Sequence, residues 1–257
     1  GRDVRRVARV ADRTRVQLVA STGYYCHDEL PAYFQTHGPG RLVDVPDPLP
    51  GLFVRDIEEG IAGTSIRAGM LKVVTDRKGM TPDVVRVMEA AAEAQLRTGV
   101  PITTHTHAPS RNGRDQVAFL TGRGVDPERL VIGHSGDSED LAYLQELMDA
   151  GATLGMDRFG MEHVLTDDRR VATVVELVRR GYADRMVLSH DAAFFSRVTP
   201  PSWRAAHTPH WHMENLPRRI VPQLLEHGVS EKEIDQMMVH NPARLLARAG
   251  VAAVVAS

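Results

Sequence analysis

Short apolar runs alternate with amphipathic stretches along most of this chain. The apolar runs lie at 16–22, 68–75, 101–106, 130–135, 153–157 and 185–191. Continuous apolar runs of this length are typical of buried strands, and apolar positions three and four residues apart in the intervening stretches indicate helices. Buried strands that alternate with amphipathic helices form a parallel sheet covered by helices, so the pattern predicts an α/β fold.

The helix after the second predicted strand has the clearest boundaries. Thr81 is a suitable N-cap, Pro82 occupies the first helical position and Gly99 ends the helix. Val84, Val87, Met88 and Ala91 form its predicted buried face. Further helices are predicted at 3–15, 51–61, 114–122, 138–149 and 168–180, with three terminal segments, the last of which begins at Asn241 and Pro242. The segments 23–50 and 192–215, rich in proline and aromatic residues, are predicted to be long loops.

The length of 257 residues suits one α/β barrel, which usually has roughly 250 residues. We therefore expect a single domain over residues 1–257 with the (β/α)8 TIM barrel fold. Only six strands are predicted where that barrel has eight. Either two strands are hidden in segments assigned to loops or helices, or the chain lacks two. We favour the second interpretation, an N-terminally incomplete barrel, because the first predicted element is a helix with no strand before it.

Charge and composition exclude several classes of function. The formal net charge is −2, so no basic face for nucleic acid is expected, and a small uncharged substrate fits better. No apolar run reaches the ~18 residues of a membrane span. The single cysteine, Cys26, has no partner for an intramolecular disulfide, which favours a cytoplasmic location. Because the chain begins with Gly1 rather than methionine, an upstream leader is also compatible with the sequence.

Four candidate metal ligands lie at the ends of predicted strands: Lys72, His105, His134 and Asp191. In a barrel, side chains at the carboxyl ends of the strands meet on one face, where barrel enzymes have their active sites. Imidazole and carboxylate groups are normal zinc ligands, and two metals about 3.5–4 Å apart hold a bridging hydroxide as nucleophile. A buried lysine is costly as a bare cation, but carboxylation of its amine would give a carbamate that bridges two metals.

Each of these residues also has a structural interpretation. A strand histidine is often only hydrogen-bonded in a core, Lys72 could extend its amine to the surface, and Asp191 could cap the following segment. The tract His207, His210 and His212 lies in a loop without a strand to hold it, so we do not expect it to bind metal.

Several motifs together resemble the phosphotriesterase family of the amidohydrolase superfamily, and within it the phosphotriesterase-like lactonases. The motifs are AGMLKVVTD, GVPITTHTHA, VIGHSGDSEDLAYL and LSHDA, and the resemblance extends from GRDV to NPARLLA. It implies that Lys72 is the carbamylated lysine, that His105 and His134 bind metal, and that Asp191 binds the more buried metal and carries a proton. Two divalent ions are implied, zinc or alternatively cobalt, iron or manganese.

The resemblance also implies residues that contact the substrate. MDRFG is similar to a lactonase sequence in which an arginine, here Arg158, lines the substrate pocket. STGYYCHDELPAYF resembles the loop whose tyrosine approaches the bridging hydroxide, here Tyr25, with Tyr24 as the alternative register. A homodimer is implied as well.

One family feature is missing from this sequence. The first strand of the family carries a His-x-His pair for the buried metal, and nothing upstream of GRDV supplies it. His105 and His107 cannot be that pair, because they follow the strand of Lys72. His107 is therefore expected to support the site indirectly or to lie on the surface. With the inner metal site incomplete, we expect this chain alone to be a poor catalyst.

The expected function is metal-dependent hydrolysis by a phosphotriesterase-like lactonase of aryldialkylphosphatase type. An activated hydroxide would open acyl lactones, and organophosphate triesters would be hydrolysed as a side reaction. One alternative is another amidohydrolase-type barrel, such as a deaminase or deoxyribonuclease, but these generally lack the strand lysine. A second alternative, of a different class, is an inactive barrel relic that serves in binding.

Overall fold

The computed structural model describes residues 3–26, 28–193 and 196–247. They form two compact units. Unit 1 comprises the described residues within 1–105, 118–130 and 246–257, and unit 2 comprises those within 106–117 and 131–245.

Three parallel strands form the sheet of unit 1. They are β1 (Ser21–Gly23), β2 (Met70–Lys72) and β3 (Ile102–Thr103), with β2 in the middle. In the register of these strands, Lys72 lies opposite Gly23 on one side and Thr103 on the other. Lys72 is therefore the last residue of the central strand of unit 1.

The predicted strand at 16–22 is wrong over most of its length. Only Ser21 and Thr22 of that run belong to β1, while Val16, Leu18 and Val19 are exposed by 65%, 44% and 50%. An apolar run indicates burial only when another layer of the protein covers it, and no described residue covers these side chains enough to bury them.

Most helices of unit 1 follow the sequence pattern, but a short one at Ala32–Thr36 lies inside the segment 23–50 that was predicted to be a loop. They are α1 (Val4–Ala11), α2 (Ala32–Thr36), α3 (Pro48–Glu58) and α4 (Pro82–Thr98). The hydroxyl of Thr81 accepts a hydrogen bond from the backbone of Val84, and Gly99 ends α4 in the left-handed conformation. The four apolar residues predicted to face inward are all buried, which confirms the interpretation of α4.

Unit 2 contains a second set of parallel strands. β4 (Leu130–Ile132), whose residues 131–132 belong to unit 2, and β6 (Met186–Leu188) pair with the two sides of β5 (Thr153–Met156). Every residue of β5 is buried, as expected for a central parallel strand with both faces covered.

The helices of unit 2 include one that the sequence pattern did not predict. They are α5 (Gly113–Thr121), of which residues 113–117 lie in unit 2, α6 (Leu141–Asp149), α7 (Asp167–Arg179), α8 (Pro201–His207), α9 (Val221–Glu226), α10 (Glu231–Asp235) and α11 (Asn241–Leu246), of which residues 241–245 lie in unit 2. Five-residue π-helical segments precede α9 and α11. α8 lies inside the segment predicted to be a loop. It begins at two prolines, and the rings of Trp203 and His207 stack one turn apart at 4.7 Å.

The six predicted strands are all present, although each is shorter than its apolar run. In the part of the chain that the structure describes, no further strand occurs, and an isolated bridge between His37 and Val43 is the nearest feature to one in the segment 23–50. The alternative of two strands hidden in loops or helices is therefore wrong for these residues. None of the helices in residues 3–26, 28–193 and 196–247 has the length and apolar character needed to cross a membrane.

Candidate functional site

The end of β2 in unit 1 brings Lys72 to the chain that follows β3. Lys72 is half-buried, and its Nζ donates a hydrogen bond to the carbonyl oxygen of Thr104 at 2.5 Å. Gly23, opposite Lys72, has a φ of +116°, and a Cβ there would lie 2.1 Å from the carbonyl oxygen of Lys72. Because only glycine fits at that point, the close approach of β1 to β2 is determined by the sequence.

His105 is oriented by Tyr25. The Tyr25 hydroxyl and Nδ1 of His105 are 3.1 Å apart, and the two rings are edge to face with centroids 5.4 Å apart. The carbonyl oxygen of His105 accepts a hydrogen bond from the backbone of Thr75 at 3.1 Å. A ring nitrogen held in this way fixes the orientation of the imidazole, as is usual for metal-binding histidines.

The two candidate tyrosines, Tyr24 and Tyr25, have different contacts. Tyr24 packs edge to face against Phe34 at 5.5 Å, and burial, with a smaller effect of Cys26, raises the pKa of the Tyr24 hydroxyl. Tyr25 is the one that contacts His105, whereas its approach to a bridging hydroxide stays a prediction.

In unit 2, His134 is held by a carboxylate that sequence reasoning missed. Asp157 accepts a hydrogen bond from the backbone N–H of His134 at 2.9 Å, and its other oxygen lies 2.8 Å from Nδ1 of His134. Burial by itself would raise the pKa of Asp157, but the charge and hydrogen bonds of His134, together with Arg158, outweigh burial and lower it. A buried carboxylate on one imidazole nitrogen is the usual support of a metal-binding histidine. The only sequence signal was an acid at the end of a strand.

Asp191 lies beside His134 and forms an ion pair with Arg158. Its Oδ2 is 3.9 Å from Nδ1 of His134 and 3.2 Å from Nε of Arg158, whose Nη1 also donates to Asp137 at 2.8 Å. Burial lowers the pKa of Arg158, but the neighbouring carboxylates, first Asp137, more than compensate and raise it. Arg158 thus forms ion pairs with two carboxylates in this structure, whereas its contact with substrate stays a prediction.

The described residues around Asp191 contain no helix that it could cap. No helix begins in the described residues directly after it, and the next described helix, α8, begins at Pro201. The described residues thus give no support to the capping interpretation of Asp191.

Backbone strain marks the ends of all three strands in unit 2. His134, Arg158 and Asp191, which follow β4, β5 and β6 by two or three residues, have φ values of +62°, +65° and +50°. A residue other than glycine costs roughly 1–3 kcal/mol in this conformation, and such residues concentrate at functional sites. The strain therefore indicates a site at these strand ends, a signal that the sequence does not carry.

Two histidines outside the predicted ligand set, His107 and His207, have other partners. Nδ1 of His107 lies 2.6 Å from the hydroxyl of Ser110, and Nδ1 of His207 lies 2.8 Å from the carbonyl oxygen of Trp203. In the described part of the chain, His, Cys, Asp and Glu side chains by themselves form no group of three or more arranged to hold a metal ion. The predicted ligand set includes a lysine, so the metal-binding roles of Lys72, His105, His134 and Asp191 stay predictions.

The charge of the unit 2 cluster nevertheless suits a cation. Its carboxylates are Asp137, Asp157, Asp167 and Asp191, and its guanidinium groups are Arg158 and Arg170. Carboxylates thus outnumber guanidinium groups in this cluster, and imidazole and carboxylate are donor types that a divalent metal accepts.

Comparison with known proteins identifies the family of this chain. The model of the phosphotriesterase family matches residues 1–246. The structure is similar to that of the phosphotriesterase from Mycobacterium tuberculosis, with a TM-score of 0.94 and 46% identity over 96% of this chain and 76% of that one.

Two further proteins represent different activities within the same fold. A mutant PTE-like lactonase from Deinococcus radiodurans has a TM-score of 0.86 and 34% identity over 96% of this chain and 78% of that one. The aryldialkylphosphatase of Saccharolobus solfataricus is 36% identical over 95% of this chain and 76% of its own length. These similarities confirm the predicted α/β barrel class of fold. The chain therefore belongs to the phosphotriesterase family of hydrolases.

Proposed function

We propose that this protein is a metal-dependent hydrolase that opens uncharged lactones and hydrolyses organophosphate triesters as a weaker side reaction. The observation that carries the proposal is the buried pair of His134 and Asp157 beside Asp191, because it presents an oriented imidazole next to a carboxylate. The similarity to a lactonase and to an aryldialkylphosphatase supports both substrate classes.

The residues that would hold the metals are Lys72, as a carbamate, and His105, His134 and Asp191. Two divalent ions, zinc or alternatively cobalt, iron or manganese, would supply a water of lowered pKa and polarise the carbonyl or phosphoryl oxygen of the substrate. Tyr25 would orient His105 through its ring nitrogen, and Asp157 would orient His134 in the same way.

Asp191 would accept the proton that the attacking water loses. A general base must keep its carboxylate directed at the reacting group, and the contact from Nε of Arg158 at 3.2 Å restrains Asp191 Oδ2. Because the side chain of Asp191 is 44% exposed, it remains accessible to water and can release the proton to solvent.

An apolar cavity in unit 2 fits the tail of an acyl lactone. It has a volume of about 550 Å³ and is lined by Ala192, Pro201, Trp211 and Met213, among others. Ala192, which lines the cavity, is the next residue in the chain after the proposed base Asp191. Clefts of this size with mostly apolar walls bind small organic molecules.

The proposal is tested with the natural full-length protein and its Lys72→Ala variant. Zinc content is measured after purification, and hydrolysis of γ-nonanolactone and of para-nitrophenyl diethyl phosphate is followed. We expect about two zinc ions per chain in the wild type, faster lactone hydrolysis, and loss of both metal and activity in Lys72→Ala.

A second lysine provides the control. Lys78 is exposed and forms an ion pair with Asp28, so Lys78→Ala should keep metal and activity. Wild-type protein that binds no metal and hydrolyses neither substrate would contradict the proposal and favour a binding role. The family resemblance also leads us to propose a homodimer, which light scattering of the same preparation tests.

A further inference from the structure

Arg170, on α7, is the largest fully buried side chain among the described residues. Its Nη2 donates to Oδ1 of Asp137 at 2.7 Å, its Nη1 donates to the carbonyl oxygen of Leu165, and its Nε has no hydrogen-bond partner among the described residues. Burial of a guanidinium group costs several kcal/mol, which ion pairs offset only in part. The burial of Arg170 therefore points to a role other than stability.

Asp137 connects Arg170 to the proposed catalytic base. Its Oδ1 accepts from Arg170 and its Oδ2 accepts from Nη1 of Arg158, while Nε of Arg158 contacts Asp191 at 3.2 Å. The side chain of Asp137 is 6% exposed, so it is screened little by water. An unbroken line of alternating charges therefore runs from the buried Arg170 of α7 to the proposed base.

The inner end of this line is fixed by a second carboxylate. Asp167 lies 3.8 Å from Nη1 of Arg170, accepts from the backbone of Gly160 at 2.6 Å and accepts from the amide of the buried Asn215 at 3.2 Å. Gly160 has a φ of +92°, and a Cβ there would lie 2.3 Å from the carbonyl oxygen of His210. Arg170 is thus held in a tightly packed frame and cannot follow its partners if they move.

The distribution of hydrogen bonds explains what Arg170 does. Without it, Oδ1 of the buried Asp137 would lose its partner, and both oxygens would compete for the guanidinium of Arg158. Because the side chain of Asp191 is 44% exposed to water, its ion pair with Arg158 is the weaker of the two and would lose this competition. We infer that Arg170 is a positioning residue for the reaction, which saturates Asp137 and so leaves Nε of Arg158 directed at Asp191. This inference rests on the proposed function, in which Asp191 is the base.

The first test does not depend on activity. In metal-free wild-type protein, the Nε–H proton of Arg158 should give a resolved, slowly exchanging NMR signal, assigned by its loss in Arg158→Met. We expect Arg170→Met to shift or broaden this signal and Arg170→Lys to restore it in part. The matched control is Arg169→Met on the same helix, which removes only an exposed ion pair with Glu139 and should leave the signal unchanged. An unchanged signal in Arg170→Met overturns the inference.

The second test uses kinetics of the zinc-loaded full-length protein with para-nitrophenyl diethyl phosphate. Arg170→Met should lower kcat about ten- to a hundredfold with little change in KM, as for other residues that orient a metal ligand. Because Arg170 acts through Arg158, the double variant that combines Arg170→Met with Arg158→Met should have the same kcat as Arg158→Met alone. Additive losses would indicate a structural role only and overturn the inference.

Two further measurements separate a failure of this inference from a folding defect and from a failure of the proposed function. If Arg170→Met does not fold, Asp137→Asn breaks the same line at its centre and should shift the Arg158 signal and lower kcat in the same way. If the wild type hydrolyses no substrate, the proposed function fails, whereas the NMR signal in the metal-free protein still decides whether Arg170 directs Arg158.

Discussion

Replacement of Asp157 by asparagine probes the pair on which the proposed function depends. Asp157 accepts two hydrogen bonds from His134, one from the backbone and one at Nδ1. Asparagine has nearly the same shape, but only one of its two terminal groups can accept. If its oxygen keeps the backbone bond, its NH2 group faces Nδ1, and the histidine must then carry its proton on Nε2.

The magnitude follows from these two bonds. A hydrogen bond to a charged group contributes about 1.5–3 kcal/mol and a neutral one about 0.5–1.5 kcal/mol, so Asp157→Asn should cost the metal-free protein about 2–3 kcal/mol of unfolding free energy. The protonated Nε2 cannot bind zinc, and loss of the partner that orients a metal-binding histidine typically weakens metal affinity 10–100-fold.

Urea unfolding of the metal-free protein and zinc competition with a chelator measure the two effects. The 15N shifts of the His134 ring report the tautomer directly. The control is Asp168→Asn, an exposed carboxylate in the first turn of α7, which should change stability by a few tenths of a kcal/mol and leave zinc affinity unchanged. Unaltered zinc affinity in Asp157→Asn, with the tautomer switched, would refute the role of His134 as a ligand.

Three other predictions follow from single contacts. Gly23→Ala should lower the melting temperature more than Gly63→Ala. Both residues have positive φ, but only a Cβ at Gly23 would meet backbone atoms, the nearest at 2.1 Å. Equal decreases in melting temperature would contradict the close approach of β1 to β2. Burial raises the pKa of Tyr143 to about 12, so the folded protein keeps a proton that the unfolded chain releases above about pH 10. The free energy of unfolding of the wild type, measured by urea titration, should therefore fall by about 2–3 kcal/mol between pH 10 and 12 because of Tyr143. The Tyr143→Phe variant should lack this contribution to the fall. Tyr25→Phe keeps the ring contact with His105 but loses the hydroxyl that lies 3.1 Å from Nδ1 of His105. This variant should fold normally, and its kcat/KM for γ-nonanolactone should be about tenfold lower. An unchanged kcat/KM would show that Tyr25 contributes to packing only.

Local signals in the sequence were sufficient for most of the secondary structure. The Thr81 cap, the left-handed Gly99 and the apolar face between them define α4 because each acts within a few residues of chain. The run at 16–22 and the helix α8 were predicted wrongly for a different reason. Burial of Val16 or stacking of Trp203 on His207 depends on which surfaces come together, and apolar periodicity does not contain that information.

The sequence by itself determined the family, the α/β class and the identity of the candidate residues, because strand ends that carry Lys72, His105, His134 and Asp191 occur in an order characteristic of that family. Tertiary structure alone decided their partners. Asp157 contacts His134, and Asp137 contacts both Arg158 and Arg170. The residues in these contacts are 21 to 33 positions apart in the sequence. Such contacts form only when neighbouring parallel strands set their ends side by side, and the strain at His134, Arg158 and Asp191 is a product of that arrangement rather than of any local preference.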